Sequence, residues 1–312
     1  MLKHIHTFSL LLSLLFVVQI VKSQQPPSTL YVVLGDPRYQ LFLNTIDLQS
    51  GKQVLNLGLN NHGQLYGFVD SNLPNNLTVI YPAYSEIRKG SLDVTTGTIT
   101  ALESTQEPDG LFNIGSLGWS SSKDSAYLVT DSFGPRCIRF VTMDFVTGNS
   151  SIIDTDLNFD LGNASSPDTA YDEAQSTLYG VYVYQSMYHI VTFDVNGLNY
   201  TDLKTNLPAK SNYFADIFIL QGQIYLMVQE SNQIVVYTID MQSGKNNFIY
   251  STKSSFPVPD VNYFFNDSYM VMITSTKQNV YQVETLHIPS FKVVSTTTSS
   301  VDLISTEAIW AY

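Results

Sequence analysis

Residues that commonly carry catalysis or covalent stability are scarce in this sequence. The 312 residues include one cysteine, Cys137, and five histidines, of which only His62, His189 and His287 lie beyond the first 23 positions. A single cysteine excludes an intrachain disulfide, so stability must come from a packed core. We expect Cys137 to be a buried structural thiol, with a mixed disulfide or a covalent dimer as the alternatives. The three histidines are far apart in sequence, and no pattern places one beside a nucleophile.

Sequence motifs of several enzyme classes are also missing. The chain contains no His-Glu-x-x-His, no Gly-x-Ser-x-Gly, no phosphate-binding glycine loop and no dinucleotide-binding fingerprint. Basic residues are few, because 15 lysines and arginines stand against 27 aspartates and glutamates and give a net charge of −12. Such an acidic chain is a poor partner for nucleic acid, whereas it attracts cations, including calcium.

Only one long apolar run is present, and it lies at the N-terminus. Residues 1–23 read "MLKHIHTFSLLLSLLFVVQIVKS", with an apolar stretch from Phe8 to Val21. This pattern predicts a secretory signal peptide that is cleaved before Gln24, leaving 24–312 as a single domain. A membrane anchor is the alternative, but the run is short for a bilayer span and Gln19 interrupts it. Cleavage removes two lysines and brings the net charge near −14. We therefore expect a secreted, extracellular protein without a membrane span.

Five Asn-x-Ser/Thr sequons agree with secretion, because this triplet is the acceptor for N-linked carbohydrate. Each alone is weak, since such triplets arise by chance in a chain rich in Asn, Ser and Thr. Together with the signal peptide they predict a glycoprotein. The asparagines are Asn76, Asn149, Asn163, Asn199 and Asn266.

One short phrase recurs through the chain. "IDLQSGK" at 46–52 returns as "IDMQSGK" at 239–245, and looser copies read "SLDVTTG", "TMDFVTG" and "TFDVNG". The phrase is typical of a hairpin turn in which Asp accepts backbone hydrogen bonds and Gly supplies a positive φ. Counting the degenerate "TLHIPSF", successive copies are 46, 51, 50, 46 and 47 residues apart. Their shared position is Asp47, Asp93, Asp144, Asp194, Asp240 and His287.

Runs of β-branched and aromatic residues surround every turn. Two such runs precede each turn and a third follows it; "LYVVLG" at 30–35 is one of the preceding runs. A further predicted strand lies before these runs, such as "QLYGFV" at 64–69 or "DIFILQ" at 216–221. Four strands per period, six periods and no strong helical periodicity predict an all-β, six-bladed β-propeller with four antiparallel strands per blade. Seven blades or a sandwich are the alternatives, but neither fits six turns.

The two ends of the chain predict how the ring closes. The first period lacks its leading strand, while the final "EAIWAY" at 307–312 has no run after it. We therefore expect this C-terminal strand to be the innermost strand of blade one.

The strand and turn pattern resembles known propeller families at the level of the fold. "LYVVLGDPRYQLFLNTIDLQSGKQV" is similar to blades of quinoprotein-like and surface-layer propellers. "GWSSSKDSAYLV" at 118–129 resembles the Trp-Ser-x-Asp-Gly turn of TolB-type and WD blades, with Ser125 in place of the glycine. The resemblance covers most of residues 24–312 but consists of strand and turn pattern alone. It implies the fold and transfers no site.

Acidic residues precede most of the predicted innermost strands. If their side chains point inward, the carboxylates surround the mouth of the central channel about 8 Å apart, and a calcium ion would relieve their repulsion. The alternative is turn chemistry, with carboxylates that face solvent or cap backbone amides. The candidate metal ligands are Asp109, Asp168, Asp216, Asp260 and Glu307, with His62 in the remaining blade.

Such an acidic ring resembles the metal-dependent lactonases of the gluconolactonase and paraoxonase type, which hold calcium in a six-bladed channel. The resemblance implies a hydrolase. However, the Glu/Asn/Asn/Asp set of those enzymes has no residue-by-residue match in this sequence, which counts against an enzyme.

Tyrosines form the second candidate site. Several lie in or beside the loops that join the second and third strands, on the same face as the channel mouth. There they would offer rigid, amphipathic area to a sugar or a peptide. Packing between strands is the alternative for any single one. The candidates are Tyr39, Tyr81, Tyr84, Tyr184 and Tyr188.

These observations favour a secreted, glycosylated module that binds an extracellular protein, peptide or glycan at a cell surface or in the matrix. The alternative is a calcium-dependent hydrolase of the lactonase type, or a lyase, that uses the acidic channel mouth. A shallow aromatic surface would favour the binding module, and a deep pocket with convergent polar groups and a metal would favour the enzyme.

Overall fold

The computed structural model describes residues 25–36, 40–62, 64–73, 75–108, 117–131, 137–159, 167–209, 215–256, 258, 263–266 and 268–312. The predicted signal peptide therefore lies outside the described residues. Across the residues that are described, no helix combines the length and the apolar character that crossing a membrane requires.

The described strands form six four-stranded antiparallel sheets arranged in a ring. Blade one contains β1 (Thr29–Gly35), β2 (Gln40–Asp47) and β3 (Gln53–His62), blade two β4 (Gly67–Leu73), β5 (Asn76–Ala83), β6 (Glu86–Asp93) and β7 (Thr98–Gln106), and blade three β8 (Gly118–Ser120), β9 (Ser125–Asp131), β10 (Cys137–Asp144) and β11 (Asn149–Asn158).

The other three blades follow in chain order. Blade four contains β12 (Asp168–Asp172), β13 (Thr177–Tyr184), β14 (Met187–Asp194) and β15 (Asn199–Pro208), blade five β16 (Ala215–Leu220), β17 (Gln223–Glu230), β18 (Gln233–Ile239) and β19 (Asn246–Lys253), and blade six β20 (Tyr263–Phe265), β21 (Tyr269–Lys277), β22 (Val280–His287), a 3₁₀ turn (Ile288–Ser290) and β23 (Lys292–Thr298). The last strand, β24 (Thr306–Ala311), returns to blade one. The predicted six-bladed propeller is confirmed.

Ring closure by the C-terminus is also confirmed. β24 pairs antiparallel with β1, with Ala311 opposite Leu30 and Ile309 opposite Val32. The Ser28 amide adds a hydrogen bond to the Tyr312 carbonyl at 2.9 Å. One strand prediction was misplaced, because the innermost strand of blade two begins at Gly67 and not at residue 64.

The core lies between neighbouring blades, since alternate residues of each central strand face the next sheet. Between blades three and four, for example, the Phe140 and Phe193 rings stack with centroids 4.4 Å apart. Both side chains are almost fully buried. Burial of each such side chain contributes roughly 1.5–3 kcal/mol, which is how a chain without disulfides holds its ring together. Cys137 is buried and free, as a structural thiol should be.

The recurring phrase forms the turn between the third and fourth strands of a blade. Asp47 illustrates its hydrogen bonding, because Oδ1 accepts from both the amide and the hydroxyl of Ser50 at 2.6 Å. The residue four places after each shared position has a positive φ, from 47° to 72°, and in four blades it is glycine. Blade four differs from the prediction, since Leu198 takes this position and Gly197 does not. In blade six Phe291 takes it.

These turns also connect neighbouring blades. The Gly51 carbonyl accepts a hydrogen bond from the Ser300 amide of blade six at 2.9 Å. A Cβ atom on Gly51 would collide with the Thr298 carbonyl oxygen. Gly244 meets the Lys204 carbonyl of blade four in the same way, and its own carbonyl accepts from the Asn206 amide at 3.0 Å. The repeated phrase is therefore a blade-to-blade contact as well as a turn.

Replacing Gly51 by alanine should therefore destabilise the protein twice over. The positive φ of 71° disfavours a Cβ by about 1–2 kcal/mol, and the collision with Thr298 adds roughly 1–3 kcal/mol. Gly222→Ala is the matched control, because Gly222 has a φ of 76° but no atom within 4 Å of the added Cβ. Urea unfolding should show a clearly larger loss for Gly51→Ala, and equal losses would contradict the blade contact.

Candidate functional site

The two faces of the ring carry different parts of each blade. Because neighbouring strands are antiparallel, the segments that lead into the innermost strands share one face with the hairpins between second and third strands. We call it the mouth face. The opposite face, called the turn face, carries the hairpins between first and second strands and the turns between third and fourth strands. The candidate metal and tyrosine sites were predicted for the mouth face.

Two of the predicted metal ligands occupy equivalent places on adjacent innermost strands. Asp168 stands opposite Val181 in blade four, and Asp216 stands opposite Met227 in blade five. Both residues are buried, at 6% and 7% exposure. Asp168 Oδ2 accepts a hydrogen bond from the Ile217 amide at 2.8 Å, so its carboxylate links blade four to blade five.

Tyr263 brings a third blade to the same place. Its hydroxyl hydrogen-bonds the Asp168 carboxylate, although part of the residue remains accessible. Burial raises the pKa of Tyr263 well above its usual value, and the charges of Asp168 and Asp216 raise it further. The hydroxyl therefore stays protonated, and Asp168 acts as an acceptor that joins blades four, five and six.

Two other candidates, Glu307 and His62, do not occupy the strand position of Asp168 and Asp216. Glu307 is half-buried in β24. Its Oε1 lies so close to Gly35 that a Cβ atom added there would be only 2.8 Å from it. His62 ends the outermost strand of blade one, opposite Gln40, and the backbone position that corresponds to Asp168 in blade two is Gly67. The sequence alignment of His62 with the innermost strands was therefore wrong.

Two further candidates for the metal, Asp109 and Asp260, lie outside the described residues. Among the side chains that are described, no three His, Cys, Asp or Glu residues are arranged to hold a metal ion. The calcium site therefore stays a prediction.

The tyrosine candidates divide into buried and exposed ones. Tyr81 and Tyr188 are 6% and 3% exposed and pack in the cores between blades. Tyr184 is half-buried, with its ring edge-on to His189 at 5.9 Å between centroids. Tyr39 lies outside the described residues. Of the described candidates, Tyr84 alone presents its whole side chain.

Tyr84 stands at the tip of the β5–β6 hairpin on the mouth face. It is fully exposed and has a φ of 59°, a backbone conformation that disfavours residues with a Cβ. Behind it, Arg88 and Glu86 form an ion pair at 3.2 Å, and Arg88 also hydrogen-bonds the Tyr81 hydroxyl. An aromatic ring with both donor and acceptor groups beside it can contact a polar ligand.

A polar cluster in blade four, formed by His189, Asp202 and Tyr182, was not predicted from the sequence. His189 is buried, and its Nδ1 lies 3.0 Å from Asp202 Oδ2. The Tyr182 hydroxyl donates to Asp202 Oδ1 at 2.9 Å. The alternation of β13 and β14 could have indicated that His189 and Tyr182 share a face, because they stand directly opposite.

One buried and two half-buried tyrosines predict how the stability of the protein depends on alkaline pH. Burial raises the pKa of Tyr66 and of Tyr127 to about 12. Burial, together with the hydrogen bond to Glu230, raises the pKa of Tyr237 to about 12. An unfolded tyrosine titrates near 10. Because the folded pKa values are the higher ones, stability is complete below about pH 10 and falls as the pH rises towards 12.

Urea midpoints measured at stepped alkaline pH would check this expectation. Tyr237→Phe removes one of the shifted groups and should reduce the steepness of the decline. A midpoint that stays constant while tyrosinate absorbance grows would contradict it.

Comparison with known proteins supports the fold and nothing finer. No protein-family model matches the sequence, and no curated protein sequence matches it. Among solved structures, a chain of a nidogen/laminin complex has a TM-score of 0.56 at 11% identity, covering 90% of this chain and 96% of that one.

Two bacterial propellers are similar to the same degree. TolB from Acinetobacter baumannii has a TM-score of 0.54 at 13% identity, covering 91% of this chain and 70% of its own. A periplasmic gluconolactonase from Pseudomonas aeruginosa has a TM-score of 0.53 at 11% identity, covering 91% and 98%. At these identities the likeness concerns architecture alone. The chain is thus a six-bladed β-propeller of the general shape shared by TolB and gluconolactonase propellers.

Proposed function

We propose that this protein is a secreted, glycosylated propeller that binds an extracellular protein, peptide or glycan through its mouth face and catalyses no reaction. The observation that carries the proposal is Tyr84. Its left-handed backbone conformation is unfavourable by about 1–2 kcal/mol for a residue with a side chain, and no packing offsets that cost, because the ring is fully exposed. Asparagine or glycine would be the stable choice at this position.

An exposed aromatic anchor beside a charged pair is a feature of binding surfaces. Tyrosine is enriched among the residues that dominate binding energy, because it buries a large rigid area and still offers a hydroxyl. The Arg88–Glu86 pair next to Tyr84 supplies a donor and an acceptor within the same hairpin. The nidogen/laminin neighbour comes from a complex between proteins, which supports the proposal that a propeller of this fold binds a protein partner.

Binding of fluorescently labelled protein to cultured cells and to a glycan array would test the proposal. Tyr84→Asn keeps the positive φ and removes the ring, so it should abolish saturable binding while leaving the melting temperature unchanged or higher. Gln185→Asn is the matched control, because Gln185 lies in the corresponding hairpin of blade four and also has a positive φ, of 51°. Binding that survives Tyr84→Asn would contradict the proposal.

A second candidate is the calcium-dependent hydrolase, and the equivalent placement of Asp168 and Asp216 favours it. Two buried carboxylates on adjacent innermost strands repel each other, and a cation could relieve that repulsion. Native mass spectrometry with and without chelator, together with a calcium titration of the melting temperature, separates the two candidates. A bound calcium ion and turnover of a lactone would favour the hydrolase, whereas an unmoved melting temperature would exclude this metal site.

A further inference from the structure

The described glycosylation sequons all lie on the turn face. Asn149 and Asn199 are the first residues of β11 and β15, the outermost strands of blades three and four. Each directly follows the positive-φ residue that ends its turn, Gly148 in one blade and Leu198 in the other. The two asparagines therefore occupy equivalent places in neighbouring blades, and both are exposed.

The other two described sequons reach the same face by a different connection. Asn76 begins β5, and Asn266 follows β20, so both belong to hairpins between first and second strands. Asn266 is exposed, and its Oδ1 accepts hydrogen bonds from the Ser268 and Tyr269 amides at 2.9 and 2.8 Å. Asn76 is half-buried, and its Oδ1 accepts from the Ser91 hydroxyl at 3.3 Å. These bonds use the amide oxygens, whereas carbohydrate attaches to the nitrogen.

We infer that N-linked carbohydrate covers the turn face and leaves the mouth face to the partner. The part of this inference that assigns the mouth face to a partner rests on the proposed function. In the modification, the Asn Nδ2 attacks the anomeric carbon of a lipid-linked oligosaccharide diphosphate. The N–C bond forms, the bond to the lipid diphosphate breaks, and the amide nitrogen loses one proton.

A one-sided glycan coat has a physical consequence for binding. Carbohydrate is bulky and hydrated, so it excludes a docking partner from the face that carries it. The strand register fixes four asparagines in blades two, three, four and six on that face. Tyr84 lies on the opposite face, directly after the strand that begins with Asn76. The fifth sequon, Asn163, lies outside the described residues.

Exposed lysines on the two faces can report which face the carbohydrate covers, because carbohydrate near a lysine slows its acylation. Lys123 lies on the turn face, in the hairpin between β8 and β9, and its Nζ donates a hydrogen bond at 3.0 Å to Oδ1 of Asn196, in the turn before Asn199. Lys253 and Lys277 end β19 and β21 on the mouth face and are also exposed.

The first experiment uses protein secreted by eukaryotic cells. Glycosidase treatment in ¹⁸O water marks each occupied asparagine, and lysine acylation rates are compared before and after native deglycosylation. We expect occupancy at Asn149, Asn199 and Asn266, and a several-fold faster acylation of Lys123 after deglycosylation, with Lys253 and Lys277 unchanged. Empty sequons, or an equal rise at Lys253 and Lys277, would overturn the inference.

The second experiment adds carbohydrate to each face in turn. Tyr84→Asn together with Glu86→Thr creates a sequon on the mouth face and should abolish binding to cultured cells. Because Tyr84→Asn alone already removes the ring, a further pair, Gln185→Asn with Met187→Thr, places a sequon on the same face in blade four. Phe248→Thr creates one at Asn246, the first residue of β19 on the turn face.

The blade-four sequon should weaken cell binding at least about tenfold, equivalent to roughly 1.4 kcal/mol, and the one at Asn246 should leave it unchanged. Binding that tolerates occupied carbohydrate in blade four, or that is lost with carbohydrate at Asn246, would overturn the assignment of faces. If the turn-face sequons are occupied but the unmodified protein binds no cell, the proposed function fails. The inference that carbohydrate covers the turn face would still hold in that case.

Discussion

Deletion of residues 307–312 is expected to yield a protein that aggregates or is poorly secreted. The deletion removes nearly all of β24, the strand that closes the ring against β1. Ile309 is buried, and the Trp310 ring packs 4.8 Å from Phe264 of blade six. Burial of these two side chains contributes roughly 1.5–3 kcal/mol each, out of a total stability of about 5–15 kcal/mol. The deletion also leaves β1 as an unpaired edge, which invites aggregation.

Yield in the culture medium, size-exclusion profile and melting temperature measure this effect. Chain termini usually tolerate loss, so the size of the effect is specific to ring closure. A truncated protein that is secreted normally and melts within about a degree of the full chain would contradict it.

A circular permutant provides the matched control. The Ser28 amide already hydrogen-bonds the Tyr312 carbonyl at 2.9 Å, so residues 25–27 can join the two ends as a hairpin like those of the other blades. Opening the chain between Gln221 and Gly222 moves the closure of the ring to blade five. The new N-terminus then supplies β17, β18 and β19 of that blade, and the new C-terminus supplies β16. The permutant should keep the stability of the natural order, because every strand pair remains. Its failure to fold would mean that the position of the ends matters beyond strand pairing.

The sequence predicts the ring well because the ring depends on local patterns. Strand alternation recurs in every blade and the Asp turn in five of the six, and a missing first strand implies a strand supplied from the other end. The prediction for the turn of blade four was wrong in one detail, the residue that has the positive φ. The turn geometry requires a positive φ four residues after Asp194, and that residue is Leu198 and not Gly197. The spacing from the aspartate therefore determines which residue has the positive φ, whereas glycine at that position is only a preference.

The site was harder to predict because it depends on contacts between distant blades. Asp168 and Asp216 were aligned correctly, but their chemistry depends on Ile217 and Tyr263, 49 and 95 residues from Asp168. No periodicity in the sequence reports such a contact. Tyr84 and Tyr81 are three residues apart in the same hairpin region, yet one is exposed and the other buried. The alternation of β5 explains Tyr81, whereas the turn geometry exposes Tyr84.

Replacement of Asp168 by alanine is expected to destabilise the ring by about 3 kcal/mol, because it removes two hydrogen bonds to a charged acceptor. The Ile217 amide and the Tyr263 hydroxyl both lose their bond to the Asp168 carboxylate in a buried place. Asp172→Ala is the control within the same strand, since Asp172 Oδ1 also accepts two hydrogen bonds, from the Ala174 and Gln175 amides, but in an exposed turn where water can replace them. We expect a loss of about 1 kcal/mol or less there.

A double-mutant cycle with Tyr263→Phe distinguishes a structural carboxylate from a metal ligand. If Asp168 acts chiefly as the acceptor for Tyr263, the two substitutions should couple, and the double variant should lose less stability than the two single losses together. Asp168→Asn keeps an acceptor for the Ile217 amide and should therefore lose less stability than Asp168→Ala. These urea midpoints should be independent of added calcium. Stabilisation by calcium that Asp168→Asn removes would instead make the carboxylate a metal ligand, and additive effects of Asp168→Ala and Tyr263→Phe would contradict the three-blade link.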